Sequence, residues 1–185
     1  MPWRYLERLA NVPEPFLLLP DGKGARRQWV AWKAVPNPKK VKPDKIPVDV
    51  HNGHGASTTN SATWARFWDA LNFYRDWHGR EHSHSYRGKI LTGPVIGVGF
   101  VLTADDPFVG IDIDDCVDQG QIQPWAQEII QLLDSYTEIS PSGTGIRIFT
   151  QGDLPFDGRK SGKIEVYKQR RYLTVTGDRI CMPLN

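Results

Sequence analysis

The sequence predicts an α+β fold, with a mixed or antiparallel β-sheet and flanking helices. Two observations carry this prediction. Several short runs alternate apolar and polar residues, which is typical of strands that are buried on one face. Two longer segments instead place apolar residues at the spacing of one helix face. The order of these strands and helices along the chain is typical of the α+β class, and 185 residues are enough for one domain with its own core.

The first half of the chain, about residues 1–95, is predicted to form an α/β subdomain. Its predicted elements are a short helix over 3–10, a strand over Gln28–Lys33, a long connection over 34–60 and a helix from Asn60 or Ser61 to about Trp77. That helix carries an aromatic stripe at helical spacing, which we interpret as core packing rather than a base-stacking platform. Residues 78–92 are polar and are predicted to form a mobile loop, so we expect His82 and His84 to be solvated.

The second half, about residues 96–180, is predicted to form a sheet with one helix. Its predicted elements are strands over Gly97–Leu102 and Val109–Ile113, a helix from Pro124 to about Asp134, and strands over Gly145–Thr150, Lys163–Tyr167 and Tyr172–Val175. The first two strands are predicted to pair as a hairpin through Thr103–Pro107. Residues 1–185 are thus predicted to be one domain. Because the chain ends soon after its last predicted strand, we expect it to be part of a longer protein.

Composition excludes some classes of protein and favours one kind of partner. The formal net charge is only +2, but residues 21–45 and 159–171 are strongly basic. We interpret these stretches as contacts for an anionic partner, with solubilising loops as the alternative. The two cysteines, Cys116 and Cys181, form no Cys-x-x-Cys motif, which argues against a structural zinc site. No secretory signal or membrane-spanning apolar run is present, so we expect a cytoplasmic protein without a membrane partner.

The most informative segment is Phe108–Cys116, which predicts an acidic metal site. Read as a strand, it turns its branched apolar residues to one face and Asp112 and Asp114 to the other, about 7 Å apart at Cα. Two neighbouring carboxylates are stabilised by a cation, so the pair predicts a divalent metal site. An exposed strand with two solvated acids is the alternative. Asp115 falls on the opposite face and is predicted to lie at the strand end or in a turn.

A second segment, Ser140–Phe149, predicts a phosphate-binding turn that leads into a strand. The candidate phosphate ligands are Ser140, Ser142, Gly143, Thr144, Gly145 and Arg147. Glycines allow backbone N–H groups to approach phosphate oxygens, and the hydroxyls add further donors. Arg147 is predicted to project from the strand as a planar cation suited to a phosphate. An ordinary turn is the alternative for the glycines.

Two further segments complete the predicted site. Glu165 is predicted to face away from the core together with Lys163, and it can supply a third carboxylate; a surface ion pair with Lys163 is the alternative. The run Arg170–Gly177 places two cations, including Arg171, with hydroxyls and a glycine around a strand, which suits a triphosphate, a sugar or a template strand. An ordinary edge strand is the alternative. Three carboxylates suit two divalent metal ions, and the cationic turn suits phosphates. Enzymes that transfer phosphoryl or nucleotidyl groups use this combination of metal ligands and phosphate-binding groups.

At these residues the chain resembles the primase–polymerase domain of the archaeo-eukaryotic primase superfamily, as in the N-terminal domain of phage and plasmid replication proteins. The matching segments are Asp112-Ile-Asp114, Ser140-Pro-Ser-Gly-Thr-Gly145, Ile164-Glu165 and Arg171–Gly177. Arg147 stands where the superfamily usually has a histidine. With further landmarks upstream, the resemblance covers roughly residues 16–178.

The resemblance implies a DNA-templated primase–polymerase that transfers a nucleotidyl group from an NTP or dNTP to a 3′-hydroxyl. Asp112, Asp114 and Glu165 would be the catalytic residues and would bind two Mg²⁺ or Mn²⁺ ions. The Ser140–Gly145 turn and Arg147 would hold the incoming nucleotide. Further contacts to the nucleotide or to a single-stranded DNA template would come from Lys45, Lys163 and Arg171. The family also implies an RRM-like palm in the metal-binding half, a bacterial, phage or plasmid gene, and a helicase domain or replication protein as partner.

Three other interpretations are kept open. A non-catalytic module that binds single-stranded DNA or a replication origin would retain the fold without the activity. A rolling-circle nuclease is suggested by His82-Ser-His84 and Tyr86, but Ser83 in a polar loop argues against it. A glycosyltransferase would use Asp112 and Asp114 with a nucleotide sugar, but it would not explain Glu165.

Overall fold

The structure is a computed structural model that describes residues 2–86 and 89–181. The chain divides into two compact units, one formed by Glu14–Val101 and the other by Trp3–Pro13 with the chain from Leu102 onward. Each unit contains helices and antiparallel strand pairs, which confirms the predicted α+β class. No helix within the described ranges is long and apolar enough to span a membrane.

The helices are short and the strands are numerous. Helices α1 to α4 span Pro2–Arg8, Glu14–Leu17, Phe67–Trp77 and Pro124–Leu133, and two 3₁₀ turns span Leu9–Asn11 and Ser61–Thr63. Strands β1 to β5 span Arg27–Val35, Asp44–Val48, Ala65–Arg66, Glu81–Tyr86 and Lys89–Leu102. Strands β6 to β13 span Phe108–Ile113, Val117–Asp118, Gln121–Ile122, Tyr136–Ile139, Ile146–Gln151, Gly158–Ser161, Ile164–Tyr167 and Arg171–Val175.

The Glu14–Val101 unit is built around β1, the strand predicted over Gln28–Lys33. Its central residues are buried on both faces, which suits a strand with neighbours on both edges. It pairs antiparallel with β2, β3 and β5, and β4 pairs with β5. Helix α3 packs Phe67 against Trp29 of β1, with the ring centroids 4.7 Å apart. The aromatic stripe of α3 is therefore core packing in part, but Trp68 is 62% exposed.

Helix α3 begins at Phe67, later than the predicted start at Asn60 or Ser61. Asn60 caps the preceding 3₁₀ turn instead, because its side chain accepts a hydrogen bond from the backbone N–H of Ala62 at 3.1 Å. The chain then pairs briefly with β1 as strand β3 before the helix starts. Asn60 is therefore a capping residue, as predicted, but the segment after it pairs with β1 and the helix begins only at Phe67.

Two segments that were predicted as connections contain strands. Strand β2 lies within residues 34–60, and β4 with the start of β5 lies within 78–92. His82 and His84 share one face of β4 and are only 6% and 5% exposed, so the prediction of solvated histidines in a loop is wrong. The alternation of β4 is visible in the sequence, but its buried positions are histidines rather than apolar residues. Arg87 and Gly88 of the predicted loop lie outside the described residues.

The other unit contains a five-stranded antiparallel sheet in the order β11-β12-β6-β10-β9. One face packs its isoleucines, including Ile111 and Ile148, with Ala126 and Ile130 of α4 in a common core. Strand β6 lies between β10 and β12, so its predicted hairpin with the preceding strand is wrong. Strands β9 and β11 were not predicted because they are only four residues long, and β11 is exposed throughout. The opposite face of this sheet carries the candidate site.

Candidate active site

Five charged residues form one row across the five strands of this sheet. They are, in strand order, Lys160, Glu165, Asp112, Arg147 and Glu138, and each is the direct cross-strand partner of the next. Side chains of directly opposed residues in an antiparallel sheet lie on the same face. The register therefore brings Asp112 and Glu165 side by side and places Arg147 on the other side of Asp112.

Asp114 extends the acidic face at the end of β6. It lies one alternation beyond Asp112, and its backbone N–H donates to the carbonyl of Lys163 at 2.9 Å. This bond holds the end of β6 beside the residue that precedes β12. Asp115 is exposed and has a φ of 47°, in the left-handed region, which agrees with its predicted place in a turn outside the acidic set.

The turn between β9 and β10 carries a chain of hydroxyl groups. The hydroxyl oxygens of Ser140 and Ser142 are 3.0 Å apart, and those of Ser142 and Thr144 are also 3.0 Å apart. The backbone N–H of Gly143 donates to the carbonyl of Ser140 at 2.9 Å, and Gly143 has a φ of 75°. Ser142 and Thr144 are exposed. The turn therefore offers hydroxyl donors to solvent next to the acidic strand.

This turn is fastened to the end of β6. The carbonyl of Thr144 accepts hydrogen bonds from the backbone N–H groups of Cys116 and Val117 at 2.9 and 3.0 Å. A Cβ atom on Gly145 would lie 2.5 Å from the carbonyl oxygen of Ile113. Only glycine fits this close approach, because real Cβ atoms essentially never come within 3.0 Å of another heavy atom. The hydroxyl turn and the acidic strand thus form one local structure.

Arg147 is buried and lies against Asp112. It is 3% exposed, and its Nε is 3.3 Å from Oδ1 of Asp112. This contact is an ion pair without hydrogen-bond geometry, because Nε makes no hydrogen bond. Nη1 donates to the carbonyl of Thr174 at 3.0 Å and also contacts the Thr174 hydroxyl. This environment differs from the open phosphate contact that the sequence suggested.

Glu165 is surrounded by donors. Lys160 Nζ donates to Oε1, the Tyr167 hydroxyl donates to Oε2 at 2.5 Å, and Arg171 Nη2 lies 3.3 Å from Oε2. Burial raises the pKa of Glu165, but the hydrogen bonds from Lys160 and Tyr167 and the nearby positive charges outweigh it and lower the pKa. The carboxylate is therefore stabilised in its ionised form. Its partners are Lys160 and Arg171 rather than Lys163, which donates to the carbonyl of Asp115 at 3.1 Å.

Glu138 is a member of the row that sequence reasoning missed. Its side chain is fully buried and accepts hydrogen bonds from the backbone N–H groups of Thr176 and Gly177 at 2.9 and 3.0 Å, and from the Tyr136 hydroxyl at 2.9 Å. Burial raises the pKa of Glu138 to about 7, although the Arg147 charge and these donors act to lower it. No apolar run in the local sequence marks this strand, and only the register shows that Glu138 lies opposite Arg147.

The remaining predicted contacts are three basic side chains, all of them exposed. Arg171 is exposed and stacks over the ring of Tyr167, with its guanidinium 4.5 Å from the ring centroid. Lys163 is exposed beside Asp115. Lys45 is exposed on β2, in the Glu14–Val101 unit. Lys160, which was not among the predicted site residues, contacts Glu165 directly.

The carboxylates have the right chemistry for a hard divalent ion, since carboxylate oxygens are the ligands that Mg²⁺ and Mn²⁺ prefer. Asp112 and Glu165 are paired with cations of the chain itself. Within residues 2–86 and 89–181, no group of three or more His, Cys, Asp and Glu side chains is placed to hold a metal ion. A metal at Asp112, Asp114 and Glu165 would thus require Glu165 to exchange its contacts with Lys160 and Arg171 for the ion.

Fold and site together define a class of protein. It is an α+β domain in which an antiparallel sheet presents neighbouring carboxylates, a hydroxyl-rich turn and a set of cations on one face. No protein-family model matches the chain. The chain is similar to a DNA primase-polymerase from Nitratiruptor phage NrS-1, with 35% identity over 161 residues, and the match covers 82% of this chain. The resemblance to a primase–polymerase domain is thereby confirmed, and the chain spans about a fifth (19%) of the length of that relative.

Proposed function

We propose that this domain is a DNA-templated primase–polymerase, which transfers a nucleotidyl group from an NTP or dNTP to a 3′-hydroxyl. The observation that carries the proposal is the strand register, which makes Asp112 and Glu165 direct neighbours. The hydroxyl turn fastened to the end of the same strand supports it, because a polymerase must bind a triphosphate beside its acids. The similarity to the phage primase-polymerase supports the same class of reaction.

In the proposed reaction, the 3′-oxygen of a primer attacks the α-phosphorus of the nucleotide. A new P–O bond forms, the bond between the α-phosphorus and its bridging oxygen breaks, pyrophosphate leaves, and the 3′-hydroxyl gives its proton to water. Asp112, Asp114 and Glu165 would hold two Mg²⁺ or Mn²⁺ ions. When bound, such ions lower the pKa of the attacking hydroxyl and neutralise the triphosphate.

The chain's own residues would position the nucleotide. Ser142, Gly143 and Thr144 are exposed at the turn and would donate to phosphate oxygens. Once released from Glu165, the positively charged Lys160 and Arg171 could pair with the negatively charged phosphates. Lys163, which is exposed and donates to the carbonyl of Asp115, is a further candidate. Single-stranded DNA is the proposed template, and a helicase domain or replication protein is the proposed partner. We also propose that the five-stranded sheet serves as the RRM-like palm.

A second candidate function is a non-catalytic module that binds single-stranded DNA. One observation favours it: Asp112 and Glu165 already pair with cations of the chain. In this case Asp112 and Glu165 would only neutralise the positive charges beside them on the sheet. The basic segment around β11 and β12 would bind the single-stranded DNA. The two candidates differ in what happens when the acids are removed.

The test is a primer-extension and de novo priming assay with labelled NTPs and dNTPs in Mn²⁺. The wild-type protein should incorporate nucleotides, and the double variant D112A/D114A should lose incorporation by at least about 10³-fold, a loss typical of removing catalytic groups, while still binding single-stranded DNA. D115N is the matched control, because Asp115 is the adjacent carboxylate in a turn and asparagine tolerates a positive φ. Absence of any incorporation by the wild-type protein would refute the enzyme and leave the binding module.

A further inference from the structure

Arg147 is held in its position from three sides. Asp112 lies at its Nε, and the carbonyl of Thr174 accepts from Nη1. On the third side, Glu138 is its cross-strand partner on β9. With 3% exposure, the guanidinium has almost no surface open to a ligand. It is therefore a fixed positive charge within the acidic site.

The positive charge of Arg147 is balanced by Glu138 on the neighbouring strand β9. Glu138 is fully buried, and its carboxylate is anchored by backbone N–H groups at the end of β13. Thr174, which holds Nη1 of Arg147, belongs to the same strand. Glu138 and Thr174 thus anchor Arg147 through a shared segment. Lys160 and Arg171 differ from Arg147, because they are 59% and 47% exposed at their side chains and can move away from Glu165.

A buried cation beside a metal ligand has a direct electrostatic consequence. A divalent ion bound to Asp112 would lie within a few ångströms of Arg147, where two positive charges repel each other strongly because water screens them poorly. The Arg147 guanidinium also occupies one side of the Asp112 carboxylate, which the metal ion would need for binding. We propose that Arg147 is a resident counter-ion of Asp112, held by Glu138 and Thr174, which limits how tightly the free protein binds a divalent metal. This inference rests on the proposed metal-binding role of Asp112.

The experiment measures Mn²⁺ binding to the nucleotide-free protein by isothermal titration calorimetry and by the EPR signal of free Mn²⁺. R147M and R147K are a matched pair, because both lose the guanidinium contacts and only R147K keeps the positive charge. We expect R147M to bind Mn²⁺ at least about tenfold more tightly than R147K, since the two differ by one unit charge near the ion. Equal affinities, or weaker binding by R147M, would overturn the inference.

Removing one member of a buried charge set can unfold a protein, because it leaves the other charges uncompensated. If thermal melting shows that R147M does not fold, R147M/E138Q removes both buried charges and is compared with E138Q alone. The double variant should bind Mn²⁺ at least about tenfold more tightly than E138Q, and equal affinities would again overturn the inference.

The variant D112N separates this inference from the proposed function. If D112N binds Mn²⁺ as the wild-type protein does, Asp112 is not a metal ligand, and both the metal assignment and the counter-ion role fall. If D112N loses Mn²⁺ binding while R147M and R147K bind equally, the metal assignment stands and only the counter-ion role is overturned.

Discussion

Replacing Gly145 with alanine should damage the site through the backbone, without touching a charged group. The new Cβ would lie 2.5 Å from the Ile113 carbonyl oxygen and 3.3 Å from the Ser140 hydroxyl. Because the tolerated limit is 3.0 Å, the turn must move away from β6 by about 0.5 Å. That movement strains the two hydrogen bonds that the carbonyl of Thr144 accepts from Cys116 and Val117.

The size of the effect follows from these contacts. Overpacking of this kind costs about 1–3 kcal/mol, and weakening two backbone hydrogen bonds adds up to about 1 kcal/mol each. We therefore expect G145A to lower the free energy of unfolding by about 1–5 kcal/mol, measured by urea denaturation. At a temperature where the variant is folded, nucleotide incorporation should also fall, because the hydroxyl turn no longer sits beside Asp114.

The matched control is G152A. A Cβ on Gly152 would meet no heavy atom within 4 Å, so we expect its stability to stay within about 0.5 kcal/mol of the wild-type value. If G145A were as stable and as active as G152A, the close contact between the turn and β6 would not exist as described. The hydroxyl turn and the acidic strand would then not form one local structure.

Three further predictions concern buried or paired polar groups. Burial lowers the pKa of Lys33, which is fully buried in the Glu14–Val101 unit, to about 8. Between pH 8 and 10.5 Lys33 is therefore neutral in the folded protein but protonated in the unfolded chain, so the free energy of unfolding should rise with pH. Urea titration should show a rise of up to about 3 kcal/mol over this range for the wild type relative to K33M. Burial also lowers the pKa of His84 to about 4, and both ring nitrogens lack hydrogen-bond partners. H84F should therefore be as stable as the wild type at pH 7, and it should lose less stability as the pH falls from 6.5 to 4. A large loss of stability in H84F at pH 7 would contradict this prediction. Y167F removes a donor to Glu165, so the pKa of Glu165 in an NMR titration should rise, and an unchanged pKa would argue against the hydrogen bond.

The acidic strand could be predicted from the sequence because its signal is local. Strand β6 alternates branched apolar residues with Gly110, Asp112 and Asp114, and the same period places Glu165 on the polar face of β12. The structure has both strands and pairs Asp112 with Glu165. Pro124 likewise marks the start of α4. These elements follow from side-chain period and from the conformational limits of proline.

The rest of the site depends on long-range pairing, which the sequence does not express locally. Glu138 and Lys160 join the row only because β9 and β11 pair in one register with their neighbours. The burial of Arg147 depends on Thr174, which is far away in the sequence. His82 and His84 were assigned to solvent because histidine is usually polar surface, yet they occupy the buried face of β4.

The most direct test of the central claim is a crystal structure of the protein with Mn²⁺ and a non-hydrolysable nucleotide, measured at the manganese absorption edge. If the three acids hold the metals, anomalous peaks should lie about 2.1 Å from carboxylate oxygens of Asp112, Asp114 and Glu165, with Glu165 released from Lys160 and the triphosphate at the Ser142–Thr144 turn. Anomalous peaks elsewhere, or intact pairs between Glu165 and Lys160 with the nucleotide bound at another surface, would show that these acids are not the metal site.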